Sequence, residues 1–539
     1  MTASDVPQAY DYPLLIKQLW HGPLATAGEQ QIVYRDLRRM TYQELYFRVG
    51  RLANALKALG VRAGDTVAIM DWDSHRYLEC LYAIPMMGAT LMTVNIRLAP
   101  EQIRYTLDHS GADILLLNSE FVEIFEQVAK ELTDIRTVLW ISDRGDAPPA
   151  SLSIAGEYEE LLDVAQPEFN FLDFDEHTRA TTFYTTGTTG LPKGVYFSHR
   201  QLVLQTLSVM AALASPSSGQ RFHRGDVYMP LTPMFHVHAW GLPYVALQLG
   251  VKQVYPGRYV PEDILSLIIS EEVTFSHCVP TILQMLLTDP SAEHTDLSNW
   301  KVVIGGSALS KSLASEAVAR GIDIFGGYGM SETGPVLALA QIPEDLPPEE
   351  EIKFRCKAGS PIPLVHLRTV DADMNDVEGD GEVVARSPWL TQGYVNRPEA
   401  SEELWRNGWL HTQDIGFRER GFVKISDRTK DVIKSGGEWI SSLQLEDLIS
   451  RHDSIAEVAV IAVPDKKWGE RPLALVVGRK EAVIDTAEIM QHIAAFAESG
   501  EISRYAVPAK IVQISELART SVGKLDKKML RDKYVREIK

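Results

Sequence analysis

The stretch YTTGTTGLPKG, from Tyr184 to Gly194, is the most informative part of the sequence. Gly187 and Gly190 permit backbone conformations that other residues avoid, so that consecutive N–H groups can converge on an anion. Lys193 adds a point charge near the end of the stretch. The stretch also carries four threonine hydroxyl groups, those of Thr185, Thr186, Thr188 and Thr189. This set of donors suits a triphosphate.

The spacing of this segment differs from that of the common G-x-x-x-x-G-K-[ST] loop, because Gly194 follows the lysine where that loop has a hydroxyl residue. A flexible surface loop of small polar residues is the alternative interpretation. The strand-like run from Thr181 to Tyr184 and the Pro192-Lys193-Gly194 end favour a phosphate-binding loop over that alternative.

Strand-like and helix-like runs alternate on both sides of the loop. Apolar residues from Leu45 to Leu59 recur at spacings of three and four, which predicts an amphipathic helix. The apolar, β-branched run from Thr66 to Met70 predicts a strand. Such alternation is typical of an α/β fold with layers of helices on largely parallel sheets. The acidic, proline-containing run from Pro343 to Glu351 is expected to be a solvated loop.

The C-terminal part of the chain has a pattern of its own. The runs Glu457 to Val463 and Leu473 to Val477 predict strands, and Ala487 to Phe496 predicts a helix capped by Asp485 or Thr486. This pattern is typical of a small α+β domain. We place the boundary in the polar run DRTKD and expect a large domain over residues 1–427, a hinge at 428–430 and a small domain over 431–539.

The composition excludes several classes of protein. Of 539 residues, 45% are hydrophobic and 23% are charged, values typical of globular proteins. The formal charge of −19 disfavours nucleic acid and anionic membranes as partners. We expect no secretory signal and no membrane span. Cys80, Cys278 and Cys356 form neither a metal-binding spacing nor a disulfide framework, so we expect a cytoplasmic protein.

Five further motifs follow the loop in a recognisable order: MFHVHAWG (234–241), GYGMSET (327–333), GWLHTQDIG (408–416), DRTKDVIKSGGEWIS (427–441) and TSVGKLDKK (520–528). Together with the loop, they resemble the signature of the adenylate-forming superfamily, which comprises acyl-CoA synthetases, luciferases and the adenylation domains of peptide synthetases. The resemblance covers essentially the whole chain. It implies an adenylate-forming fold whose small C-terminal domain is mobile.

The resemblance implies an AMP-forming acyl-CoA synthetase that uses ATP, Mg²⁺ and CoA and proceeds through an acyl-adenylate. Lys524, Glu332 and His236 match catalytic positions, and Thr185 and Glu332 would hold the metal. Contacts to ATP or AMP are implied for Thr185, Thr186, Gly187, Thr188, Thr189, Gly190, Lys193, Gly305, Gly327, Tyr328, Thr333, Asp414, Arg428 and Lys434. Each of these roles has a purely structural alternative. Tyr328 could be a core tyrosine, Asp414 and Arg428 could form an exposed ion pair, and Lys524 could belong to a basic tail.

The resemblance also implies a second arrangement of the two domains for thioester formation. Lys430 matches the hinge. Rotation there would withdraw Lys524 and bring a CoA tunnel into place, formed by Ser435, Gly436, Gly437 and Trp439. A tryptophan at position 439 departs from many relatives, which have a smaller or polar residue there.

The acyl pocket is expected at residues that match the family's acyl site: His236, Trp240, Gly305, Gly306 and Gly329. The bulk of Trp240, at the expected start of a helix, predicts a limit on chain length. His236 and His238 flank one valine but have no acidic or cysteine partners nearby in sequence, so a metal pair is rejected. The surrounding sequence looks most like medium-chain fatty acyl-CoA ligases and the related methylthiopropionate-CoA ligases.

The resemblance therefore predicts a ligase for a short- to medium-chain fatty acid. A ligase for 3-methylthiopropionate or another carboxylate, or an adenylation enzyme that loads a free-standing carrier protein, is the alternative. A binding module that has lost turnover would have no need for a mobile lysine at position 524. The expected partners are a small carboxylic acid, ATP and CoA, with a second copy of the chain in a homodimer.

Overall fold

The computed structural model describes residues 10–185, 191–217, 219–343, 346–436, 438–480, 482–521 and 523–537. Helices and strands alternate through much of the chain, as the sequence predicts. The helices are α1 (His21–Ala27), α2 (Tyr42–Ala58), α3 (His75–Met86), α4 (Pro100–Ser110), α5 (Val122–Val128), α6 (Tyr158–Val164), α7 (His199–Ala214), α8 (Val237–Trp240), α9 (Leu242–Leu249), α10 (Pro261–Ser270), α11 (Pro280–Thr288), α12 (Lys311–Ala319), α13 (Pro348–Arg355), α14 (Pro398–Leu404), α15 (Ser442–Ser450), α16 (Thr486–Glu498) and α17 (Lys527–Glu537).

The strands are β1 (Gln31–Tyr34), β2 (Arg38–Thr41), β3 (Thr66–Met70), β4 (Thr90–Thr93), β5 (Ala112–Asn118), β6 (Thr137–Ile141), β7 (Ile154–Glu157), β8 (Arg179–Thr185), β9 (Lys193–Ser198), β10 (Val227–Leu231), β11 (Lys252–Tyr255), β12 (Phe275–Cys278), β13 (Lys301–Ile304), β14 (Asp323–Gly329), β15 (Val336–Leu339), β16 (Ser360–Pro361), β17 (His366–Val370), β18 (Gly381–Arg386), β19 (Trp405–Arg406), β20 (Trp409–Glu419), β21 (Phe422–Arg428), β22 (Ile433–Ser435), β23 (Glu438–Ile440), β24 (Ile455–Asp465), β25 (Gly469–Gly478) and β26 (Lys510–Gln513).

Two large sheets with mostly parallel central strands form the N-terminal part. One has the order β7-β6-β5-β3-β4-β8-β9, and the other has the order β16-β15-β14-β13-β12-β10-β11-β1-β2. Their central strands, such as β4, are buried throughout. Their near-continuous apolar sequences therefore follow from helices that cover both faces. The predicted α/β architecture with largely parallel sheets is confirmed.

A third sheet, β17-β18-β20-β19 with β21 on β20, is antiparallel and carries the chain to residue 428. The sheet that follows has the order β23-β22-β25-β24, and β26 runs parallel to β25. It has its own apolar clusters, one with Leu445 and Ile489 and another with Leu473 and Leu530. The smaller C-terminal unit of the predicted fold is confirmed.

Local sequence signals account for several element boundaries. Thr41 and Glu44 form a capping box at the start of α2, and Asp485 accepts hydrogen bonds from the first turn of α16. The prediction of a loop from Pro343 to Glu351 is wrong in its second half, because α13 begins at Pro348. Among the described residues, none of the helices has the length and apolar character needed to cross a bilayer.

Candidate active site

The ends of the phosphate-loop segment are held by an antiparallel hairpin. Strand β8 ends at Thr185, β9 begins at Lys193, and these two residues are paired in the sheet register. The predicted loop residues Thr186, Gly187, Thr188, Thr189 and Gly190 lie outside the described residues. The hairpin brings both ends of the segment to one edge of the sheet. The Lys193 ammonium lies 4.7 Å from the centroid of the Tyr394 ring.

Glycines at the carboxyl ends of β13 and β14 allow two chain segments to approach closely. A Cβ on Gly305 would lie 2.9 Å from the Gly327 carbonyl oxygen and 3.0 Å from the Trp240 ring. A Cβ on Gly329 would lie 1.4 Å from the Pro335 carbonyl oxygen. No side chain fits at Gly305 or Gly329 without a shift of the neighbouring chain.

Asp414 lies at the centre of a polar cluster. The Tyr328 hydroxyl donates to its Oδ2 at 2.9 Å, and Nε of Arg428 donates to its Oδ1 at 3.2 Å. The pairing of β20 with β21 places Asp414 opposite Arg428. Burial raises the pKa of the Tyr328 hydroxyl, and the Asp414 carboxylate raises it further. The hydroxyl therefore stays protonated and orients the carboxylate.

Glu332, within the GYGMSET segment, is buried. The Tyr394 hydroxyl donates to its Oε1 at 2.7 Å. The hydroxyl of neighbouring Thr333 is directed at the carbonyl oxygens of Met330 (2.9 Å) and Pro335 (2.6 Å). Carboxylate and hydroxyl oxygens are the ligands Mg²⁺ prefers, so the donor chemistry of Glu332 and Thr185 fits this metal.

Lys524 reaches this cluster from the C-terminal end of the chain. A Cβ on Gly306 would lie 3.0 Å from Cε of Lys524 and 3.6 Å from its Nζ. The pKa of Lys524 is lowered from 10.5 to about 8, because burial and, to a lesser extent, the Arg428 guanidinium lower it more than the carboxylates of Glu332 and Asp414 raise it. The lysine thus shares one site with all three groups.

Two hydrogen bonds dock the Lys524 loop on the N-terminal part. Nδ2 of Asn95 donates to Oγ of Ser521 at 2.9 Å, and the Thr281 hydroxyl donates to the Gly523 carbonyl at 3.2 Å. Within the loop, the Lys524 N–H donates to the Thr520 hydroxyl at 3.2 Å. These contacts hold the Lys524 loop against the N-terminal part.

The MFHVHAWG motif contains an unusual left-handed turn. All four residues of α8 have positive φ values, from 49° at Ala239 to 59° at Trp240. A left-handed conformation costs about 1–2 kcal/mol per non-glycine residue. The helix that the sequence places near Trp240 is α9, which begins only at Leu242, after this turn. Buried hydrogen bonds secure the segment before it: Asp73 accepts from the Met234 N–H (2.8 Å).

The turn positions Trp240 beside Gly305, at the carboxyl end of β13, and His236 directly precedes the turn. Loss of hydration lowers the pKa of His236 to about 3, and the charge of Lys524 contributes to the shift, so the ring is neutral and lies near the lysine. The Trp240 ring lies against the Gly305 position, and its centroid is 4.9 Å from that of His277. Two of the predicted acyl-pocket residues, Trp240 and Gly305, are therefore in contact.

The predicted CoA-tunnel residues lie on the β22–β23 hairpin, and the predicted hinge residue Lys430 follows Arg428 at the end of β21. Lys430 is exposed in the turn after β21, and Trp439 is 63% exposed on the β22–β23 hairpin with the Lys434 ammonium 5.6 Å from its ring centroid. The Ser435 side chain is buried within that hairpin, and Gly436 lies against Trp468. Gly437 lies outside the described residues. This domain arrangement assembles the lysine site and leaves the hairpin at the surface.

Sequence reasoning missed Tyr394, Asn95, Thr281 and His277. Tyr394 lies in the run GYVNRPEA, between the GYGMSET and GWLHTQDIG motifs, but its partners Glu332 and Lys193 are far away in sequence. Asn95 and Thr281 are polar residues just after β4 and β12, at the carboxyl ends of parallel strands. That position is a recognised signal for binding residues in α/β sheets.

The comparisons with known proteins agree with this geometry. The family model described as AMP-binding enzyme matches residues 23–395, and that of the AMP-binding enzyme C-terminal domain matches residues 444–524. A long-chain-fatty-acid–CoA ligase from Thermus thermophilus is 40% identical, with 95% of this chain and 94% of the relative covered. A 3-methylmercaptopropionyl-CoA ligase from Ruegeria lacuscaerulensis is 34% identical, with 98% of both covered.

Two further matches extend this result. A medium-chain-fatty-acid–CoA ligase from Ectopseudomonas oleovorans is 33% identical, with 93% of this chain and 91% of the relative covered. A solved anthranilate CoA ligase with bound anthranoyl-AMP has the same fold, with a TM-score of 0.85, 24% identity and coverage of 99% and 98%. The chain belongs to the AMP-binding enzyme family, whose members form acyl-adenylates.

Proposed function

We propose that this AMP-forming acyl-CoA synthetase activates a short- to medium-chain fatty acid. The single observation that carries the proposal is the contact of the Trp240 ring with Gly305 and His277, because a bulky side chain beside the proposed adenylate site would limit the length of the acid. The similar relatives named for medium-chain acids and for 3-methylmercaptopropionate support an acid of this size. Another relative is named for long-chain acids, so the dependence of turnover on acyl chain length is the property to measure.

The first half-reaction joins two anions. A carboxylate oxygen bonds to the α-phosphorus of ATP, and the bond from that phosphorus to the bridging oxygen breaks, which releases pyrophosphate. Lys524 and Lys193 would reduce the repulsion and stabilise charge that grows in the transition state. Glu332 and Thr185 would hold Mg²⁺, which would supply further positive charge to the phosphates. Asp414 would accept hydrogen bonds from the ribose hydroxyl groups.

The remaining nucleotide and acid contacts follow from position. Tyr328, on β14, would lie beside adenine, and Gly305 and Gly327, at the ends of β13 and β14, would also border the nucleotide. Arg428, which is held by its ion pair with Asp414, would contact the ribose or a phosphate. Neutral His236, near Lys524, would border the acid carboxylate as a gate.

The second half-reaction needs another domain arrangement. We place the domains at residues 1–427 and 431–539, with residues 428–430 as the hinge around Lys430. Rotation there would remove Lys524 and carry the Ser435–Trp439 hairpin to the adenylate, where the CoA thiol attacks the acyl carbonyl and AMP leaves. The exposure of Trp439 in the present arrangement supports a surface that is covered only after rotation.

The cellular setting is part of the proposal. The three cysteines are free thiols, and two of them are buried, which supports a reducing, cytoplasmic location. A homodimer is the proposed oligomeric state, to be measured by light scattering. A 3-methylthiopropionate ligase is the second candidate, supported by the similar ligase named for that acid. Loading of a carrier protein is the third.

A panel of carboxylic acids tests the proposal. Pyrophosphate release is measured with and without CoA for straight-chain acids from acetic to palmitic and for 3-methylthiopropionic acid, and thioesters are identified by mass. We expect the highest kcat/KM among the short and medium acids, with acyl-CoA formed in step with pyrophosphate. A preference for palmitic acid, or adenylate that never becomes a thioester, would contradict the proposal.

A further inference from the structure

The segment from Thr391 to Val395 joins the two sides of the proposed nucleotide site. The Thr391 N–H donates to the Glu332 carbonyl at 3.0 Å, and the Thr391 hydroxyl donates to the Tyr196 carbonyl on β9 at 2.9 Å. The Val395 N–H donates to the Gly194 carbonyl, also on β9, at 2.9 Å. We call this stretch the coupling segment, because it bonds both to the Glu332 segment and to the strand that follows the phosphate loop.

Tyr394, within the coupling segment, uses both parts of its side chain. Its hydroxyl donates to Oε1 of Glu332 at 2.7 Å, and the Lys193 ammonium lies 4.7 Å from its ring centroid. Its backbone N–H donates to Oγ of Ser401 at 2.9 Å, which fixes the backbone from which the side chain extends. One side chain therefore contacts a proposed metal ligand and a proposed phosphate-binding cation.

The two contacts act differently on their partners. The hydrogen bond orients the Glu332 carboxylate while using only part of the capacity of Oε1, so that oxygen lone pairs remain for a metal. The ring face attracts the Lys193 ammonium without an opposing full charge. An acidic residue there would compete with phosphate for the lysine, whereas an aromatic ring positions the cation and leaves its charge available.

We propose that Tyr394 is a positioning residue that fixes the Glu332 carboxylate and the Lys193 ammonium relative to each other, so that both meet the metal-bound phosphates of ATP. The inference rests on the proposed function of the site. A tyrosine that only filled space would need no hydroxyl. This hydroxyl is directed at Oε1 of Glu332, at 2.7 Å.

Two variants separate the contacts. Tyr394→Phe removes the hydroxyl and keeps the ring, so we expect the Mg²⁺ concentration for half-maximal pyrophosphate release to rise about tenfold, the lower end of the effect of losing a bond that orients a metal ligand. KM for ATP at saturating Mg²⁺ should change little. Tyr394→Leu removes the ring as well, so KM for ATP should also rise. Thioester formation from supplied acyl-adenylate should match the wild type in both.

Binding measurements give a readout that does not depend on turnover. By calorimetry, Tyr394→Phe should weaken ATP binding at subsaturating Mg²⁺ but leave binding in EDTA unchanged, whereas Tyr394→Leu should weaken both. The matched control is Tyr196→Phe, because Tyr196 lies on β9 with the Arg179 guanidinium 4.7 Å from its ring centroid. The control should leave the Mg²⁺ requirement unchanged. Glu332→Gln combined with Tyr394→Phe should cost no more Mg²⁺ affinity than Glu332→Gln alone.

The outcomes separate this inference from the proposed function. An unchanged Mg²⁺ requirement in a folded Tyr394→Phe protein, or equal losses in adenylation and thioester formation, would overturn the role of Tyr394. Absence of acid-dependent pyrophosphate release from the wild type would overturn the proposed function itself. Melting temperatures within a few degrees of the wild type establish that the Phe variant is folded.

Discussion

Asn95 donates a hydrogen bond from its amide Nδ2 to the hydroxyl oxygen of Ser521 at 2.9 Å. Asn95 follows β4 in the N-terminal part, and Ser521 lies three residues before Lys524. The bond therefore joins the body of the enzyme to the loop that delivers the lysine. Its partial exposure and neutral partners limit its strength to about 0.5–1.5 kcal/mol.

Loss of this bond should slow adenylation selectively. We expect Ser521→Ala to lower acid-dependent pyrophosphate release by about two- to tenfold, because the docked arrangement becomes less populated. Thioester formation from supplied acyl-adenylate should be unaffected. Asn95→Ala should have a similar effect, and the double variant should lose no more than the larger single loss. Additive losses in the double variant would exclude the bond as their common cause.

The lowered pKa of Lys524 predicts the pH dependence of adenylation. Burial, followed by the Arg428 charge, brings this pKa down to about 8, and only the protonated amine can stabilise the developing negative charge. The pH dependence of kcat/KM reports the pKa values of the free enzyme. With respect to this ionisation, kcat/KM should therefore be constant below about pH 8 and fall about tenfold per pH unit above it. His236, with its pKa near 3, contributes no step in this range.

The matched control for this profile is Lys524→Arg. A guanidinium stays protonated throughout the range, so the remaining activity of this variant should lack the alkaline fall. A wild-type profile that is flat to pH 9.5, or an equal fall in the arginine variant, would assign the ionisation to another group.

Trp240 should set the upper limit of acyl chain length. Trp240→Gly removes the ring beside Gly305, and glycine also suits the positive φ of 59° at this position. We expect kcat/KM to shift toward longer acids, with the ratio for palmitic over butyric acid rising about tenfold or more. Trp240→Phe should give an intermediate ratio. An unchanged ratio in the glycine variant would place the end of the pocket elsewhere.

Local signals in the sequence predicted many elements correctly. The periodicity from Leu45 to Leu59 predicted α2, because it depends on residues within a few positions of each other. The start of α13 was missed because its acidic run resembles a solvated loop. Pro348 at the first turn, followed by three glutamates, is nevertheless favourable at a helix N-terminus.

Contacts in the site between residues far apart in sequence could not be predicted from local sequence signals. Tyr394 is 62 residues from Glu332, and no spacing rule connects them. The left-handed turn at α8 contains no glycine between Val237 and Trp240, so its conformation is imposed by surrounding contacts such as Asp73 with the Met234 N–H. The motif resemblance could nominate Asp414 and Arg428, while their direct contact follows from the register of β20 with β21.

We propose that Lys524 serves adenylation and leaves the active site for thioester formation. The direct measurement is the rate of each half-reaction in Lys524→Ala: acid-dependent pyrophosphate release, and acyl-CoA formation from supplied acyl-adenylate. We expect the first to fall by about a hundredfold or more, as for loss of a group that stabilises transition-state charge, and the second to stay close to the wild-type rate. Equal losses in both half-reactions would contradict the account.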